Sequence, residues 1–141
     1  QLKATFPELT VVLNGGVNSI DGIQQHLRLL DGVMIGREAY HNPFFLTQVE
    51  QQWFAQAPTT RLAVLERFIP YIERQLSLGV RLQNITRHIL GLFAGQAGGK
   101  HWRRYLSDHA RLKNAGPEVL LEAFDAMKPH NSDLDAGASS N

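Results

Sequence analysis

Apolar positions follow two regimes along the chain. Up to Pro58, short apolar runs are punctuated by glycine; beyond it, apolar residues recur at spacings of three and four. Thr10-Val11-Val12-Leu13, halted by Asn14-Gly15-Gly16, predicts a fully buried parallel strand followed by a glycine turn. Ser19 is placed to cap a helix whose apolar stripe is Ile20, Ile23, Leu27 and Leu30, with Gln24, Gln25 and Arg28 on the other side and Asp31-Gly32 as its end. Val33-Met34-Ile35 predicts a second buried strand closed by Gly36-Arg37, and Asn42-Pro43 opens a further helix. Strand, helix, strand is a βαβ unit. Such a unit cannot cover both faces of a parallel sheet, and no third buried strand follows, so the pattern predicts a piece of a longer protein whose earlier strands precede this chain.

Past Pro58 the period is helical throughout. Thr59 or Thr60 is placed to cap a helix carrying Leu62, Leu65, Phe68, Ile69, Ile72 and Leu76 and ending near Gly79, with Pro70 expected to kink or split it. A second helix is expected with Leu82, Ile85, Ile89, Leu92 and Phe93 on one face and Arg81, Arg87 and His88 off it. After Gly95, Gly98 and Gly99, a third runs from Lys100 to Leu112 with Trp102, Leu106 and Ala110 inward. Gly116-Pro117 begins a fourth through Val119, Leu120, Ala123, Phe124 and Met127. The remainder, 129–141, is small and polar and reads as disordered.

Composition sharpens this picture in three ways. No apolar run approaches the roughly 20 residues that span a bilayer, and the first residues lack a signal-peptide layout, so a cytoplasmic protein with no membrane partner is expected. The chain has no cysteine, and its histidines, such as His26, His109 and His130, lack companions at metal-ligand spacing, so no metal is expected. The net charge of +1 is unevenly spread: three Lys/Arg against five Asp/Glu up to Pro58, then eleven against six from Thr59 to Lys128. From Arg81 to Lys113 there are seven basic residues and one acid, Asp108. That asymmetry points to a polyanionic partner, with a merely solvated helical face as the alternative.

The candidate chemistry sits at the two glycine turns. Asn14-Gly15-Gly16-Val17 follows one strand and Gly36-Arg37 the next, about twenty residues later. Glycines there let backbone N–H groups approach a phosphate, and Arg37 adds a permanent cation. Alone, each is consistent with a plain tight turn. As a pair in this order they read as the phosphate site formed by the last loops of a TIM barrel.

With Val12 to Val17 and Asp31 to Pro43, the stretch Ile85-Thr86-Arg87-His88-Ile89-Leu90-Gly91-Leu92-Phe93, Gly95-Gln96 and Trp102-Arg103-Arg104-Tyr105-Leu106-Ser107 resembles the A-type subfamily of tRNA-dihydrouridine synthases, over roughly Val11 to Met127. The resemblance implies an α/β piece, the last βαβ unit of an FMN-binding (β/α)8 barrel (residues 1–57), followed by an all-α helical bundle domain that binds tRNA (58–128). It implies FMN held by Asn14, Gly15, Gly16, Gly36 and Arg37, and NADPH as electron donor. It implies reduction of D-loop uridines near position 20 with a catalytic cysteine on an upstream loop absent here, so no catalytic residue falls within this chain, which alone should be inactive. The tRNA contacts it implies are Arg87, Lys100, Arg103 and Arg104, with the missing N-terminal barrel portion as a further partner. Rival readings are another FMN barrel oxidoreductase, such as a dihydroorotate dehydrogenase-like protein, or a non-catalytic nucleic-acid-binding module. The first leaves the basic helices unexplained.

Overall fold

The computed structural model describes residues 2–128; Gln1 and the tail expected to be disordered, 129–141, lie outside the described residues. The chain forms two compact units, one running to Arg61 and the other from Leu62 on.

In the first unit a short helix α1 (Leu2–Thr5) precedes strand β1 (Val12–Asn14), helix α2 (Ile20–Leu27) and strand β2 (Gly32–Met34). The strands pair in parallel, Val12 opposite Gly32, Leu13 opposite Val33 and Asn14 opposite Met34. The βαβ unit is therefore present, each strand shifted by about a residue from its expected ends. Ser19 caps α2 as expected, its Oγ accepting from the Gly22 N–H at 3.1 Å. The helix stops earlier than its apolar stripe suggested, at Leu27, where the N–H groups of Leu29 and Leu30 both turn back to the His26 carbonyl. Asp31 does more than end the connection. Its carboxylate accepts from the Val11 N–H at 2.8 Å and pairs with Lys3 Nζ at 2.9 Å, while its own N–H bonds the Val11 carbonyl. The starts of both strands and α1 are thereby tied together.

The expectation of fully buried strands is not met. Leu13, Val33 and Ile35 pack on a core of Val17, Ile23 and Phe45, joined by Ile20, Leu27, Val49 and Trp53. On the opposite face Val12 and Met34 are each 53% exposed. Strand side chains alternate between faces, and among the described residues no layer covers the second face. Between the strand and the helix α4 (Phe45–Trp53) lies a short helix that the sequence reading missed, α3 (Arg37–His41), so the chain turns helical at Gly36-Arg37 rather than waiting for Asn42-Pro43.

From Leu62 on, the regular structure among the described residues is helical. Helix α5 (Arg61–Ser77) is continuous with Pro70 inside it, so proline does not split it. Pro70 removes one intrahelical donor, and the flanking turns with buried Leu65 and Ile72 hold the helix across that gap. Gly79, at φ 83°, ends the segment, with the Val80 N–H reaching back to the Gln75 carbonyl.

Helix α6 (Leu82–Thr86) is much shorter than the expected one. Beyond it the apolar face continues through tight turns: His88 bonds Ile85, Ile89 bonds Thr86, Leu92 bonds Ile89 and Ala94 bonds Gly91, each a donor three residues after its acceptor. Leu92 and Phe93 are still buried, so spacing foretold burial but not helix type. The Trp102 indole N–H bonds the Ile89 carbonyl in this stretch, at 3.3 Å. Helix α7 (Gly99–His109) ends before the expected Leu112 and buries Trp102 and Leu106, with Ala110 buried just after it, and it packs on α8 (Glu118–Asp125). Phe93 joins the two, 4.7 Å from Trp102 and 5.6 Å from Phe124 between ring centroids.

Candidate functional site

Parallel pairing in register is what builds the first site. Because Asn14 sits opposite Met34, both strands end on the same side, and the turns that follow them lie side by side although twenty residues separate them in sequence. Together they line a cavity of about 400 Å³ bounded by Asn14, Gly15, Gly16, Val17, Asn18, Met34, Gly36, Arg37, Glu38 and His41. All five residues singled out at the two turns are there. Gly15 and Gly16 have φ of 118° and 70°, consecutive positive values that L side chains rarely adopt. A Cβ at Gly15, Gly16 or Gly36 would meet no atom within 4 Å. These glycines therefore leave open space beside the backbone instead of serving close packing. Among the described residues, none of the turn and loop hydrogen bonds uses the N–H of Gly15, Gly16 or Gly36. Peptide donors without a turn or loop partner beside an exposed guanidinium suit a small oxyanion such as a phosphate monoester.

Residues outside the expected set complete this cavity. Val17 is buried and anchors the first turn to the core. Glu38 contributes a carboxylate, restrained by the Asn42 amide at 3.0 Å, while the Asn42 Oδ1 is buried with no partner. His41 lines the cavity; Tyr40 does not, and its ring meets His41 edge-on at 5.8 Å. The missed helix α3 is the reason: Glu38 follows Arg37 directly at the cavity, and His41, four residues on, returns to the same side of the helix as Arg37.

The basic candidates are arranged differently. Lys100, Arg103 and Arg104 lie on the exposed side of α7, opposite Trp102 at 0% and Leu106 at 1% exposure. Arg104 is loosely paired with Asp108 at 3.9 Å, both largely in solvent, a contact worth about 0–1 kcal/mol. Arg87 is exposed at the C-cap of α6. The structure spends two other basic residues internally: Arg81 donates to the Arg111 carbonyl at 2.9 Å, and Arg111 to the Asp108 carbonyl. Beside the basic face is a shallow cavity of about 280 Å³ lined by His101, Arg104, Tyr105, Asp108 and His109. There Tyr105 stacks on His109 at 3.8 Å, and its hydroxyl donates to Glu122, which raises the phenol above its ordinary pKa. Among the described residues no helix is long and apolar enough to cross a membrane.

The sequence profile of the dihydrouridine synthase (Dus) family matches residues 1–128. The chain is 48% identical over 130 residues to a protein of Shewanella oneidensis named tRNA-dihydrouridine(20/20a) synthase, covering 91% of this chain and 39% of the relative. Proteins of the same name from Haemophilus ducreyi and Synechocystis are 51% and 45% identical over 127 and 130 residues, covering 88% and 91% of this chain and 39% of each relative. The chain thus spans about 39% of the length of these relatives.

Proposed function

The chain belongs to the dihydrouridine synthase family, and from that premise we propose that it is the part of an A-type tRNA-dihydrouridine synthase that holds the phosphate end of FMN and grips tRNA. In this reading residues 1–57 close the barrel, residues 58–128 form the helical tRNA-binding domain, and the remaining length seen in the relatives supplies the upstream strands and the catalytic cysteine. The observation that carries it is the joining of both glycine turns and Arg37 around one cavity at the same end of two parallel strands.

The residues present fit the flavin phosphate. The N–H groups of Gly16 and Gly36 donate to its oxygens, Gly15 keeps the turn clear, Asn14 offers an amide toward the ribityl chain, and Arg37 neutralises charge. Glu38 is an acceptor and suits a ribityl hydroxyl better than a phosphate oxygen. When bound, FMN supplies the hydride that reduces the uracil ring, with NADPH as the source of electrons. This chain's own work is to bind and orient. Lys100, Arg103, Arg104 and Arg87 contact tRNA phosphates, positioning a folded RNA whose target uridine near position 20 must leave its stack.

The test is direct. The full-length protein carrying this chain is purified, its flavin identified by mass spectrometry, and an unmodified tRNA transcript incubated with it and NADPH. Bound FMN and new dihydrouridine in the D-loop are expected. A protein that retains no FMN when supplied with it, or leaves every D-loop uridine unreduced, overturns the proposal.

A further inference from the structure

Glu38 carries the wrong charge for a cavity that receives a phosphate. It follows Arg37 directly, and both residues line that cavity. Among the described residues, neither of them has an ion-pair partner. A carboxylate free to swing beside a guanidinium is drawn onto it, which would cancel the cation that the phosphate needs.

What holds Glu38 is a neutral group. Asn42, the C-cap of α3, stands four residues after Glu38, a spacing at which helical side chains meet. Its Nδ2 donates to the Glu38 carboxylate at 3.0 Å. A carboxylate only accepts, so the amide has to present its nitrogen, and the Asn42 Oδ1 is left buried with no partner. Leaving a buried acceptor unpaired is unfavourable, and here it accompanies the one contact that restrains Glu38. A carboxylate fixed in this way beside a phosphate-binding turn repels further anions and accepts from hydroxyl groups. The ligand chemistry it selects is a phosphate monoester whose attached chain carries hydroxyls, as the ribityl chain of FMN does.

We infer that Asn42 is a positioning residue of this cavity, holding Glu38 off Arg37 so that the guanidinium stays available to the phosphate and the carboxylate takes a hydroxyl of the chain attached to it. The inference rests on the FMN reading given above and deepens it, making Glu38 the residue that recognises the hydroxylated chain.

The experiment titrates two ligands into deflavinated full-length protein by fluorescence: FMN, and a flavin whose phosphate is carried on a five-carbon chain without hydroxyls. Ring and phosphate are common to both, so the ratio of the two affinities reports the hydroxyl contacts. Loss of one hydrogen bond to a charged group lowers affinity roughly 10- to 150-fold. Glu38→Ala is expected to lower the preference for FMN by that factor while binding the hydroxyl-free flavin as well as the parent or better. Asn42→Ala is expected to lower the preference roughly 2- to 12-fold, the effect of having to order one released side chain on binding, and also to weaken the hydroxyl-free flavin as Glu38 closes on Arg37. In the Glu38→Ala background, Asn42→Ala should change neither affinity, because Asn42 acts through Glu38; a merely structural role would weaken both ligands there too. If the unaltered protein binds no FMN, the reading above falls and takes this inference with it. If it binds FMN, and folded Glu38→Ala or folded Asn42→Ala keeps the parent's preference, or Asn42→Ala still weakens both ligands without Glu38, this inference alone is overturned. Should Asn42→Ala melt well below the parent, Asn42→Asp, which keeps the shape and sets a second carboxylate against Glu38, is measured in its place with the same expected direction.

Discussion

Replacing Gly36 tests the phosphate turn with little confounding from folding. Gly36 has φ −91°, an ordinary value for any residue, and a Cβ there meets nothing within 4 Å. Gly36→Ala should therefore fold normally, and the reduced freedom of its unfolded chain would stabilise it by up to about 1 kcal/mol. Gly36→Asp keeps that backbone tolerance and places a carboxylate at the cavity. Two unit charges 4 Å apart repel by about 1 kcal/mol in bulk water and about 4 kcal/mol at an effective dielectric of 20. The cavity is open to solvent and the phosphate carries close to two charges, so roughly 2–4 kcal/mol is expected, or a 30- to 1,000-fold weaker FMN affinity. The assay is fluorescence titration of FMN into deflavinated full-length protein, with thermal melting of the apo form as the folding control. A Gly36→Asp protein that purifies with a full flavin complement and an unchanged Kd would refute the assignment of this turn to phosphate.

Three further outcomes follow from the same geometry. Lys100→Glu with Arg103→Glu should weaken tRNA binding by more than the roughly 1 kcal/mol per contact expected of neutral replacements and reduce the salt slope by about 0.7–0.9 per contact, leaving flavin content unchanged; gel shifts across a salt series check this. Gly98→Ala should be destabilising, by about 1–3 kcal/mol or more in urea unfolding, because φ is 78° and a Cβ would sit 2.6 Å from the Met127 carbonyl oxygen, while FMN affinity stays as it was. Asp31 is held below its ordinary pKa, first by the Val11 N–H and then by Lys3, so it contributes stability above the unfolded pKa near 3.8 that is lost as pH falls through its lower folded value. Asp31→Asn should accordingly be less stable than the parent at pH 7, with the difference closing in strongly acidic solution; denaturant melts at both pH values measure it.

Local chemistry was enough to make several features of this protein legible. Ser19 caps α2 because its side chain needs only the N–H three residues on, and Trp102, Leu106 and Ala110 face inward because helical spacing puts them on one side. The glycine turns after the strands were legible for the same reason: a positive φ at Gly15 and Gly16 is a single-residue property. Where the sequence reading erred, a second segment decided. Period could not tell α6 and its succession of tight turns from one long helix, since both bury Leu92 and Phe93, and the backbone there is bonded three residues apart with the Trp102 indole on the Ile89 carbonyl. Helix continuity through Pro70 depended on the turns on either side and on buried Leu65 and Ile72, not on proline's own preference. Asp31 looked like a helix stop until β1 and Lys3 came within reach of its carboxylate. The cavity is the clearest case. Asn14 and Arg37 announce two separate turns in the sequence, and only the pairing of Asn14 with Met34 makes them one site, because register is a relation between strands that neither strand contains.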